Sequence, residues 1–111
     1  MSVLVVEGYA DLRAAIVDTL ERSDVACVTA TSPEDAILKL KEHHYEAILL
    51  APRLPIKSDP VMRFLHDAQP GEISKVILLA DVEDEDAGAE ECRVLTKPFN
   101  HDELIAKLVD R

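Results

Sequence analysis

Ala47-Ile48-Leu49-Leu50-Ala51 is an unbroken apolar run, preceded by Glu46 and closed by Pro52 and Pro55. A strand with one wet face alternates apolar and polar residues. A short continuous run suits a strand covered on both faces. The stretch is therefore predicted to be the middle strand of a parallel sheet, with Ala51 at its carboxyl end. In open α/β sheets, ligands sit beyond the carboxyl ends of the strands. Here that place is held by a methyl group.

The remaining elements fall into line around this run. Val3 to Val6 is a second bare apolar run, followed by Glu7 and Gly8. Asp11 is predicted to cap a helix whose apolar face is Leu12, Ala15, Ile16, Thr19 and Leu20, at helical spacing. Val25 to Thr29 reads as a short strand. Ser32-Pro33-Glu34-Asp35 opens a second helix with a capping Ser, a first-turn Pro and acids at the positive helix end. Ala36, Ile37 and Leu40 form its inner face, and it should stop near His43 and His44.

After the central strand, Ser58-Asp59-Pro60 repeats the cap-then-proline pattern, before a helix with Val61, Phe64, Leu65 and Ala68 inward. Pro70-Gly71 ends it. Lys75 to Leu79 is a fourth strand and Arg93-Val94-Leu95 a brief fifth. Asn100-His101-Asp102-Glu103 is a capping box before a last helix with Leu104, Ile105 and Leu108 inward. Strands alternating with helices imply a parallel sheet with right-handed crossovers on both faces.

At 111 residues, with 48% hydrophobic and 31% charged residues, the chain has the composition of one globular domain. No apolar run approaches the roughly 20 residues of a membrane span, and the start runs directly into a strand with no export signal. The expected location is cytoplasmic. The net charge of −10 opposes direct binding to a nucleic-acid backbone. Cys27 and Cys92 fall near the second and fifth strands. In the strand order given below these lie about 19 Å apart, too far for a disulfide.

In order, Val3-Leu-Val-Val-Glu7 with Ala10-Asp-Leu-Arg13, Ile48-Leu-Leu-x-x-Arg-Leu-Pro55, Val76-Ile-Leu-Leu79 and Leu95-Thr-Lys-Pro-Phe99 resemble the receiver domain of bacterial response regulators. The resemblance covers Val3 to Val109. It implies an α/β, flavodoxin-like (CheY-like) three-layer fold, with a five-stranded parallel sheet in the order 2-1-3-4-5. It also implies a cis bond at Lys97-Pro98. Residues 1–111 then form one receiver-like domain, of the extent expected for a piece excised from a longer regulator.

In that family an aspartate ending the third strand accepts a phosphoryl group. That aspartate and an acidic pair after the first strand hold Mg²⁺. A Thr or Ser after the fourth strand and a Lys after the fifth bind phosphoryl oxygens. Carried onto this chain, the acceptor position is Ala51, the acidic pair is Glu7-Gly8, the hydroxyl position is Ala80 and the lysine is Lys97. The switch position on the fifth strand is Val94. Phosphoryl transfer needs a nucleophilic oxygen, and Mg²⁺ wants a shell of oxygens with one or two carboxylates. With Ala51, Gly8 and Ala80, both are missing. No catalytic residue, metal ligand or cofactor is expected, and Glu7 and Lys97 are expected to pair across the degenerate pocket.

Ser58 and Asp59 are read as caps, with Asp59 pointing away from that pocket. The acidic run from Asp81 to Glu91 lacks the order of a calcium loop and is read as solvated. The histidines His43, His44, His66 and His101 show no metal-ligand spacing, and His43 and His44 are placed to face a helix C-terminus. Only residues 80–92 separate the fourth and fifth strands, barely the 10–12 or so a crossover with a helix needs. The helix of this fourth crossover is expected to be shortened or missing.

The function expected is that of a pseudo-receiver: a non-enzymatic, phosphorylation-independent interaction module in two-component-type signal transduction. Its partner is expected to be a regulatory or output protein domain, in the same longer chain or apart, with a homodimer as a further option. The alternative is a small-anion or small-ligand sensor using the emptied pocket near Lys97.

Overall fold

The computed structural model describes residues 1–52, 58–80 and 92–109. The strands are β1 (Ser2–Val6), β2 (Ala26–Ala30), β3 (Ala47–Leu50), β4 (Val76–Ala80) and β5 (Arg93–Thr96). The helices are α1 (Ala10–Arg22), α2 (Pro33–Glu42), α3 (Pro60–Ala68) and α4 (His101–Val109), with a 3₁₀ segment over Pro70–Lys75. All strand pairs are parallel, in the order β2-β1-β3-β4-β5, and β3 is central. This is the expected CheY-like sheet. The expectation for the fourth-crossover helix falls on residues 81–91 and lies outside the described residues.

The bare apolar runs work as predicted because successive side chains feed two different cores. Leu4, Val6, Ile48, Leu50, Val76 and Leu78 pack under α2 and α3, against Ala36, Leu40, Val61 and Leu65. Val3, Val5, Leu49, Ile77, Leu79 and Leu95 pack on the other face, against Ile16, Leu20, Leu104 and Leu108. Ile48, Leu49 and Leu50 are at most 1% exposed. Each such side chain contributes about 1.5–3 kcal/mol by leaving water. A strand with one polar position in this run could not serve both layers.

Two helix starts hold as read. The Ser32 hydroxyl accepts from Asp35 N at 3.1 Å, and Asn100 and Glu103 exchange both bonds of a capping box, at 2.8 and 3.2 Å. Others shift. The N-cap of α1 is Tyr9, with no side-chain cap bond, and Asp11 sits in the first turn, where its charge faces the helix dipole. Ala15 and Ala68 are exposed, and Met62 is buried in place of Ala68. Alanine fits either side of a helix, so its spacing alone carries little information.

His43 caps the C-terminus of α2, whereas His44 Nδ1 approaches Glu72 Oε1 at 3.3 Å. Cys27 lies on edge strand β2 and Cys92 beside the opposite edge strand β5, and no disulfide joins them. The Lys97-Pro98 bond is cis, as expected.

Candidate functional site

At the carboxyl edge of the sheet, the ends of β1, β3 and β5 are each carried one bond further by a neighbouring strand. Glu7 N donates to Ala30 O (3.3 Å), Ala51 N to Val6 O (2.9 Å) and Lys97 N to Ala80 O (2.7 Å). These bonds fix Glu7, Ala51, Ala80 and Lys97 on the ladder, so their positions follow from the sheet rather than from loose loops. They line one cleft of about 470 Å³, together with Gly8 and Tyr9, the α2 start at Thr31, Ser32 and Pro33, and Asp59. Val94 does not line it. It pairs with Leu78 on β4 and packs, half-buried, against the α2–α3 core.

The charges in the cleft are engaged with one another or with the backbone. Lys97 Nζ donates to Glu7 Oε1 at 3.1 Å, and Tyr9 N donates to Glu7 Oε2 at 3.3 Å. Glu7 is 2% exposed and the Lys97 side chain 19%. A carboxylate so buried would be costly alone, and the ammonium beside it offsets that cost. The guanidinium of Arg13 donates to the carbonyls of Glu7 (3.0 Å) and Gly8 (3.4 Å), which pins the turn from β1 into α1.

Asp59 corrects one expectation. It caps α3, with Oδ1 accepting from Val61 N (2.9 Å) and Met62 N (3.1 Å). It does not point away, however: it is 2% exposed and lines the cleft. Every right-handed crossover starts its helix at the carboxyl edge of the sheet. A side chain capping such a helix therefore faces that edge, and capping does not exclude lining the site. The same topology brings in Thr31, Ser32 and Pro33, which motif matching alone had not singled out.

The residues present do not fit the magnesium ion that the receiver resemblance implies. Gly8 and Ala51 offer no side-chain oxygen, both Glu7 oxygens have donors, and Asp59 serves α3. Among the described residues no cluster of three or more metal-capable side chains exists. A thiol is no substitute: Cys27 lies on β2, where burial first and then the charge of Glu21 push its pKa up.

No protein-family model matches the sequence, and no curated protein matches it. Solved structures do. The chain is similar to the receiver domain of the sensor histidine kinase PA1611 from Pseudomonas aeruginosa, at 23% identity and a TM-score of 0.80, covering 96% of this chain and 93% of that one. It is similar to a CheY-like response regulator receiver domain protein from Methanospirillum hungatei, at 24% identity and 0.79, covering 96% and 90%. It is also similar to the chemotaxis protein CheY4 of Vibrio cholerae, at 20% and 0.77, covering 96% and 94%. The chain has the CheY-like receiver fold.

Proposed function

We propose that the chain is a pseudo-receiver, a phosphorylation-independent protein-interaction module of two-component-type signal transduction. The observation that carries this reading is Ala51. It sits at the end of the central strand, in the cleft, and brings no nucleophilic oxygen to it. The Pseudomonas domain is described with magnesium coordinated in its active-site cleft. The cleft here has an internal ion pair instead, and its residues fit no such ion. Among the described residues the sheet is packed on both faces, which supports a retained frame. We read residues 1–111 as one receiver-like unit that works by contact with a regulatory or output domain.

The test is incubation with acetyl phosphate and Mg²⁺, followed by intact-mass spectrometry. The expected result is an unchanged mass. A hydroxylamine-sensitive phosphate adduct would overturn the reading.

A small-ligand sensor is the second reading, favoured by the open cleft. Its anion form has against it that Lys97 is already neutralised by Glu7 at 3.1 Å. A ligand that binds only the folded state raises the melting temperature. Inorganic phosphate is therefore expected to leave it unchanged.

A further inference from the structure

Once Lys97 is closed on Glu7 and Asp59 on the start of α3, the groups left facing into the cleft are carbon in somewhat greater share than polar, with Thr31 and Ser32 among the polar ones. Val6, Leu50, Ala51, Val61, Leu79 and Ala80 make its floor and walls. Around the mouth stand Tyr9, Pro33 and Pro52. Tyr9 is 75% exposed, the highest value among the exposed large hydrophobics of the described residues. It is the kind of residue that contributes most when a partner covers it.

Of the cations near the mouth among the described residues, Arg13 is held on the carbonyls of Glu7 and Gly8 and Lys97 on Glu7, whereas the first turns of α1 and α2 carry the exposed acids Asp11 and Glu34, and the whole chain is at −10. A free anion would approach against this field. A volume of about 470 Å³ lies within the range of small-molecule sites, about 300–1,000 Å³. A free small molecule seated on the floor would nonetheless leave Tyr9 outside it. Covering the floor and the rim together needs a side chain that arrives on a wider surface.

We propose that the cleft is an anchor pocket, taking one aromatic side chain that projects from a basic segment of a partner protein, with Tyr9, Pro33 and Pro52 closing around it. This rests on the reading of the chain as an interaction module, and it places the docking point where other receivers bind metal. Interfaces of this kind concentrate their energy in a few aromatic anchors seated in pockets, with a polar rim around them. The acidic first turns would steer the basic flanks and speed the encounter at low salt.

The experiment is a ¹⁵N–¹H NMR titration of the 111-residue chain with capped tripeptides. Lys-Trp-Lys is expected to shift the amide signals of Gly8, Tyr9, Ala51 and Ala80, and to bind about ten-fold more tightly than Glu-Trp-Glu. Lys-Ala-Lys is expected to leave those signals in place. Ala51→Leu fills the floor and should weaken Lys-Trp-Lys about ten-fold or more. Because that variant could disturb the core, Tyr9→Ala at the exposed rim is the second arm and should weaken binding without loss of fold. Shifts elsewhere on the surface, equal response to Trp and Ala peptides, or no effect of Tyr9→Ala would each overturn the anchor pocket. These outcomes leave the phosphorylation test untouched, and a phosphate adduct would sink the module reading without touching the peptide result.

Discussion

Lys97 and Glu7 meet at 3.1 Å although their strands are not neighbours: β3 and β4 lie between β5 and β1. Three strand spacings are about 14 Å, so the two side chains must reach toward each other across the ends of β3 and β4. The residues at those ends are Ala51 and Ala80. With only methyl groups at those two strand ends, the lysine and the carboxylate meet directly.

Breaking that pair from either side should be costly. Lys97→Met leaves the 2%-exposed Glu7 carboxylate without its cation, a loss of about 3 kcal/mol. Glu7→Gln should cost less, since the lysine is nearer water. The double variant should be more stable than the sum of the two losses predicts, because neither charge is then stranded. Urea unfolding of the four proteins measures this, and strict additivity would show that the pair carries no coupling.

Restoring the missing oxygens should restore metal binding only when they are restored together. Ala51→Asp alone sets a second carboxylate near Glu7 with no further metal ligand, and negligible Mg²⁺ affinity is expected by isothermal titration. Gly8→Asp adds that ligand. Among the described residues, a Cβ at Gly8 would have only Thr31 O, at 4.0 Å, as a near neighbour, so the backbone accepts it. With Ala80→Thr as well, the triple variant should bind Mg²⁺ and accept phosphate from acetyl phosphate. Equal, negligible binding in single and triple variants would mean that the strand ends no longer hold receiver geometry.

The two helix caps should differ in weight. Asn100→Ala removes an exposed cap and should cost about 1 kcal/mol. Asp59→Ala removes a buried acceptor from two backbone N–H groups, and each donor stranded away from water adds about 1–3 kcal/mol. Denaturant midpoints compare them. An Asp59→Ala variant no less stable than Asn100→Ala would mean that water readily replaces the carboxylate.

Cys27 should alkylate slowly. Burial, and then the nearby charge of Glu21, raise its pKa, so less reactive thiolate is present at pH 8 than in a free thiol. Glu21→Gln removes the smaller cause, so the iodoacetamide rate should rise but stay below that of a small-molecule thiol. A rate unaffected by Glu21→Gln would show that burial acts alone.

Much of the frame could be read from the chain because Val3–Val6, Ala47–Ala51 and Val76–Leu79 are apolar without a break. Only a sheet covered on both sides accommodates such runs. The strand order was not in that periodicity and came from the receiver-like motifs. At the site, Glu7, Ala51, Ala80 and Lys97 came from the same receiver-like motifs, and each immediately follows or ends a strand. Asp59 was misplaced, and Tyr9 passed over, for a physical reason. Local patterns report what a residue does for its own helix, whereas the direction it faces is set by the crossover that delivers the helix. The 3₁₀ segment at Pro70–Lys75 was likewise hidden behind a Pro-Gly pair that reads as a simple break.

The chain has two tyrosines and no tryptophan. Tyr45 is 3% exposed within the core and hydrogen-bonded to Lys39 O, whereas Tyr9 stands at the cleft mouth in solvent. The molecule's ultraviolet emission therefore divides into one constant interior source and one that senses the mouth. Quenching by dissolved iodide or acrylamide will act almost wholly on Tyr9. Protection from quenching gives an unlabelled optical readout of whether anything has covered the cleft.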